Sequence, residues 1–156
     1  MRLFVITTAA VGFTLSTLML ATGALAVQDT PMNVNGVETV CTGVGSAKDD
    51  PRWSAYPVKV VLATNGGANL ANAHVSFAKG GQEIAGLDCD APWILFKAPG
   101  GSYTATASLI GGSGRTASSK FTTSGSGAQK EVTITFPSRN PAVSLPAGTV
   151  PPPSGQ

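Results

Sequence analysis

The chain has 156 residues, 42% of them hydrophobic and only 12% charged, with ten Lys+Arg against eight Asp+Glu. So near a balance argues against the clustered basic face that nucleic-acid recognition needs, and the sequence shows no polybasic patch for anionic lipid. The length admits one domain, not two.

The first 26 residues read as a secretory signal peptide. Arg2 gives a positive start, and no acid precedes Asp29. Leu3 to Gly23 is apolar apart from scattered Thr and Ser, and Ala24 and Ala26 supply the small residues of an A-x-A cleavage site. The alternative is an uncleaved anchor, since about 20 apolar residues span a bilayer. That is the one route by which this chain would engage a membrane, and a stop-transfer helix usually carries flanking basic residues, whereas the next one here is Lys48. Cleavage after Ala26 leaves residues 27–156, without Arg2, so nine Lys+Arg face eight Asp+Glu and the net charge is +1. The expected location is periplasmic or secreted. There the two cysteines, Cys41 and Cys89, are expected to be bridged, with two buried reduced thiols as the other possibility. Their spacing is nothing like the CxxC of a redox-active pair.

Residues 27–34, with Pro31, read as a short flexible lead-in, and the core runs over 35–136. Arg52, Trp53 and Tyr56 fall in a loop before the first strong strand. Exposed aromatics in such a loop stack on sugar or peptide; buried, they form a satellite contact beneath it. Strands are then predicted in turn by alternation and β-branched or aromatic residues. Val58, Val60 and Leu62 share one face, as do Val75 and Phe77. Trp93-Ile-Leu-Phe96 is a continuous apolar run that suits a strand covered on both faces. Tyr103, Ala105, Ala107 and Leu109 point one way and Thr104, Thr106 and Ser108 the other. Arg115–Phe121 reads as a weaker edge strand, and Val132, Ile134 and Phe136 point inward from the last one. Gly-rich connections such as Lys79-Gly80-Gly81 supply the positive-φ positions of turns. The sum is an all-β chain: a single antiparallel β-sandwich of immunoglobulin-like topology or a near relative. The last 20 residues, 137–156, carry six prolines and few large apolar side chains, and read as an extended, disordered tail.

The inventory of reactive groups is thin. His74 is the single histidine, placed by alternation on the polar face of its strand, so a three-ligand zinc site lacks its usual donors. Gly111-Gly-Ser-Gly-Arg115 fails the last position of a nucleophile elbow, and Gly43-Val-Gly-Ser-Ala-Lys48 lacks the ending of a phosphate loop. Asp88 and Asp90, flanking Cys89, form the best remaining cluster. Carboxylates at i and i+2 can share a hard cation such as Ca²⁺, or simply be a solvated acidic turn.

Three segments carry a family likeness. Asn35-Gly36-Val37-Glu38 with Thr42-Gly43-Val44-Gly45 and Asp49-Asp50 is one. Asp90-Ala91-Pro92-Trp93-Ile94-Leu95 and Pro99-Gly100-Gly101-Ser102-Tyr103-Thr104-Ala105 are the others. In order and spacing they resemble the carboxypeptidase regulatory-like domains of exported bacterial proteins, a transthyretin-like β-sandwich group, over about residues 35–136. Cys41 stands where that group has a small polar residue, and Ala91 where it has Gly. The resemblance implies an accessory module without an active site or cofactor, and a bridge from the N-terminal strand to the turn before Trp93. In the turn, Pro99 fixes φ and Tyr103 packs its ring inward with the hydroxyl at the rim. Hydroxyisourate hydrolases share the transthyretin-like fold but need several histidines and a C-terminal Tyr-Arg-Gly-Ser that this chain cannot assemble. The expected function is therefore a non-catalytic interaction or structural module of the bacterial envelope. Its partner would be protein or envelope polymer, not nucleic acid or a small-molecule cofactor. The alternative is a carbohydrate-binding module using Trp53 and Tyr56.

Overall fold

A computed structural model describes residues 24–25, 28–111 and 114–138. The leader up to Gly23 and the proline-rich stretch beyond Ser138 lie outside the described residues, as do the expectations that fall on them. The strands are β1 (Ala24–Leu25), β2 (Met32–Val34), β3 (Val37–Thr42), β4 (Val58–Thr64) and β5 (Ala73–Lys79). β6 (Gln82–Cys89), β7 (Trp93–Lys97), β8 (Gly101–Leu109), β9 (Thr116–Thr123) and β10 (Lys130–Phe136) complete the set. Two short 3-10 turns, Gly45–Asp49 and Pro51–Ala55, lie between β3 and β4.

The strands form two five-stranded sheets, β1-β6-β5-β8-β9 and β10-β4-β7-β3-β2. Alternation sets their inner faces. Val58, Val60 and Leu62 of β4, Val75 and Phe77 of β5, and Ile94 and Phe96 of β7 are all fully buried in one shared core. β9, as expected, is an edge strand, paired among the described residues with β8 alone. The β5–β6 hairpin closes on Gly80-Gly81, both at positive φ, between the paired Lys79 and Gln82. Two left-handed residues in a two-residue loop give the reversal whose twist matches the flanking strands, and only glycine takes both positions without strain.

Two expectations are corrected. The sandwich is mixed: β10 runs parallel to β4 from Lys130↔Val58 to Phe136↔Thr64, and β1 runs parallel to β6. The β9–β10 connection crosses between the sheets and delivers the chain to the end where β4 begins. There the Lys130 N–H donates to the Pro57 carbonyl (2.8 Å), so β10 must run alongside β4. The lead-in is also partly structured, since Met32–Val34 pairs with β3 through the Asn35-Gly36 turn and Met32 and Val34 pack on the core.

Tyr103 packs its ring inward as the turn sequence predicts, 3% exposed, and its hydroxyl donates to the Pro99 carbonyl at 2.6 Å. Tyr103→Phe keeps the ring and strands that carbonyl, so urea unfolding should register a loss of about 1 kcal/mol. An unchanged midpoint would leave the hydroxyl without a structural role.

Candidate functional site

The loop aromatics come first, because they carried the sugar-stacking expectation. Pro51 opens the second 3-10 turn, and the Asp50 side chain accepts from the Arg52 N–H (2.9 Å) and from Arg52 Nε (2.8 Å). These bonds hold the Asp50 carboxyl below the usual carboxylate range and the Arg52 guanidinium above its own. The turn folds Trp53 and Tyr56 down onto Val40 and Leu95, on the outer face of the second sheet. Trp53 is 5% exposed and donates its indole N–H to the Ala47 carbonyl at 2.7 Å; Tyr56 is 4% exposed. Gln129 Nε2 ties the turn to the strand that follows by donating to the Trp53 and Tyr56 carbonyls at 2.8 and 3.0 Å. The structure thus brings Arg52, Trp53 and Tyr56 together but gives neither ring a free face. A stacking platform needs one, so they act as the lid of a small second core, which is why Leu95 is buried on the outward side of β7.

The Tyr56 hydroxyl donates to Glu38 Oε1 at 2.6 Å. Burial first, and that bond second, push its pKa well above the ordinary phenol value. A pKa raised in the folded state contributes stability that is intact below the unfolded value, near pH 10, and is lost as pH rises beyond it. Alkaline titration at 295 nm should show Tyr56 ionising only with unfolding, and Glu38→Gln should not bring its ionisation into the ordinary range, because burial is the larger cause.

Asp88 and Asp90 are placed differently from each other. Asp88 is half-buried near the end of β6, directly across the ladder from His74, and its Oδ1 accepts from His74 Nδ1 at 2.6 Å. Asp90 is exposed beyond the strand end. Asp88 is therefore committed to a histidine, and among the described residues no group of three or more His, Cys, Asp or Glu is arranged to hold a metal ion. Sequence alternation found the face on which His74 sits but missed its partner, because the cross-strand register was not legible. The row continues to Ser108 on β8, so Asp88, His74 and Ser108 lie side by side across three strands. His74 Nε2, however, lies over Gly86, on the β6 side of β5, while Ser108 lies on the β8 side and bonds to Thr116 Oγ1 at 2.9 Å. Among the described residues the imidazole is hydrogen-bonded to Asp88 and not to a hydroxyl.

The remaining candidate is the outer face of the first sheet. Thr104, Thr106 and Ser108 of β8 face Lys120, Ser118 and Thr116 of β9 in register, and Ser102 Oγ meets Thr122 Oγ1 at 3.1 Å. Near the β5–β6 turn this face holds an open cleft of about 580 Å³, bordered by Ala78, Gly80, Gly81, Thr104, Lys120 and Thr122. The glycines leave room, the hydroxyls donate and accept, and Lys120 adds a cation. Such a surface can hydrogen-bond a polar chain laid across it.

The last geometric element is the bridge. Cys41 on β3 and Cys89 on β6 form a disulfide with Cα atoms 5.7 Å apart, joining the two sheets. Together these features define the class: an all-β sandwich fastened across its sheets by a disulfide, with no helix among the described residues long and apolar enough to cross a membrane. No family model, curated protein or solved structure matches the chain.

Proposed function

We propose that this is an exported, non-catalytic β-sandwich of the bacterial envelope, periplasmic or secreted, that works by binding protein or envelope polymer. The observation that carries the reading is the Cys41–Cys89 bridge across the sheets, a feature that persists in oxidising compartments. The leader sequence supports the same destination. The likeness to carboxypeptidase regulatory-like domains supports a module without an active site, and the Pro99–Tyr103 turn is consistent with it. The test is intact mass of the protein recovered from the periplasm, before and after reduction and alkylation. A mass beginning at Val27 with no thiol until reduction is expected. A full-length mass with two free thiols would overturn the export reading, and hydrolysis of an ester, peptide or amide panel would overturn the non-catalytic one.

A carbohydrate-binding reading draws its support from the hydroxyl-lined cleft beside Lys120, not from Trp53 and Tyr56. Titration with an oligosaccharide panel at millimolar concentration should then move the backbone amide resonances of Thr104 and Lys120. A spectrum that stays put across the panel would dispose of it.

A further inference from the structure

The first sheet has a weakly covered edge. β6 pairs with β5 along its whole length, whereas on its other side the described residues supply only β1, in the register Ala24↔Leu87 and Leu25↔Asp88. Most of this edge strand, including Ile84, Ala85 and Leu87, is uncharged, and a free edge of that composition is a template for another strand. Yet the two residues covering it lie within the segment that the leader pattern assigns to removal, just ahead of the cleavage point after Ala26. The chain is anchored again immediately downstream. The Asp29 N–H donates to the Cys41 carbonyl (2.8 Å), and the Asp29 carboxylate accepts from Thr42 Oγ1 (2.6 Å). Both partners belong to β3, the strand that the disulfide joins to β6. Processing would therefore remove a strand from one sheet and leave the anchor on the other undisturbed.

We infer that the β6 edge at Leu87–Asp88 is a strand-acceptor site: Ala24–Leu25 fills it in the unprocessed chain, and after processing it receives an extended, uncharged apolar segment of a partner protein, aligned parallel to β6. Main-chain hydrogen bonds give such strand addition its affinity, and the flanking surface gives it selectivity. The orientation of the seated segment decides between occupants. Two copies of this chain meeting edge to edge about a two-fold axis would pair β6 with β6 antiparallel, whereas β1 is parallel. The composition of the seated pair, Ala24-Leu25, sets the ligand chemistry: small or aliphatic, and without charge.

The inference rests on the export reading, and the experiment keeps the two apart. Hydrogen exchange is followed in the full chain and in an Ala24→Pro, Leu25→Pro variant, which removes both backbone donors of β1. The β6 amides facing that edge between Gly86 and Cys89 should exchange at least tenfold faster in the variant, while β4 and β10 stay protected and report an intact fold. A peptide of residues 22–28 added to the variant should restore slow exchange at the same amides. Unchanged exchange in the variant, or faster exchange that millimolar peptide fails to reverse, would overturn the acceptor site. A variant that dimerises in sedimentation with β6 reprotected would overturn the partner-strand occupant in favour of a second copy. A full-length mass for the exported protein would instead overturn the export reading, and with it the vacancy, whatever the exchange data say.

Discussion

Replacing Cys41 and Cys89 together with alanine is expected to cost about 4 kcal/mol of folding stability, on the chain-entropy account of a loop with sequence separation 48. Single domains of this size have only about 5–15 kcal/mol to lose, so the variant would fold but sit close to its threshold. The melting temperature should fall by roughly 15 °C, and reductant added to the wild type should reproduce most of that drop. Alanine is the informative replacement, because both cysteines are buried and serine would strand two hydroxyls in the core. The location explains why the effect should be large. β9 packs against β10 on one flank of the sandwich, and on the opposite flank the bridge joins β3 to β6. Once it is cut, that flank depends on β2 and on the side chains of Met32 and Val34. A loss under 1 kcal/mol would mean that these contacts hold the flank unaided and that the bridge is not what makes the fold suit an oxidising compartment.

The same flank marks the boundary of what the residues disclose unaided. Strands with a regular apolar pattern announce themselves: β4, β5, β8 and β10 follow the alternation of their sequences, and β7 is the continuous apolar run covered on both faces. β6 does not, because its inward residues are Ala85, Leu87 and Cys89 and its outward ones include Gly86, a composition that reads as turn. Missing β6 hides the partner of His74 as well, since Asp88 then looks like part of a solvated acidic loop instead of a rung in a ladder. The satellite contact beneath the loop, one of the two readings that the sequence offers for Trp53, is what the structure shows, but the means of that burial was illegible. The burial depends on two 3-10 turns, set by Pro51 and the Asp50 side chain, that fold the loop onto Val40 and Leu95. Leu95 itself was the clue, an apolar residue on the outward side of β7 with no other cover.

The largest single side-chain effect is expected at Phe96. It is the member of the second sheet that meets the aromatic row of the first. Its ring stacks on Phe77 at 4.0 Å between centroids and 9° between planes, and meets Tyr103 edge-on at 5.6 Å and 83°. Tyr103 in turn lies 5.7 Å from Phe121 on β9. Four rings from β5, β7, β8 and β9 thus form one continuous contact through the core, and pairs of this geometry contribute about 0.5–1.5 kcal/mol beyond their burial. Phe96→Ala removes the link between the sheets and opens a cavity that rigid strands on both sides cannot close. A loss of about 4 kcal/mol is expected by urea unfolding with an unchanged m-value. The exposed neighbour Lys97 is the control, and Lys97→Ala should stay within about 0.5 kcal/mol of wild type. In a Trp93→Phe background, Trp53 fluorescence provides a second readout, because its cluster rests on Leu95, one residue away on the other face of β7. If the inner face loosens while the backbone of β7 holds, Trp53 keeps its native emission until global unfolding. If Phe96→Ala instead exposes Trp53 before the main transition, the two cores are coupled through β7, and the loop that carries Arg52, Trp53 and Tyr56 responds to changes inside the sandwich.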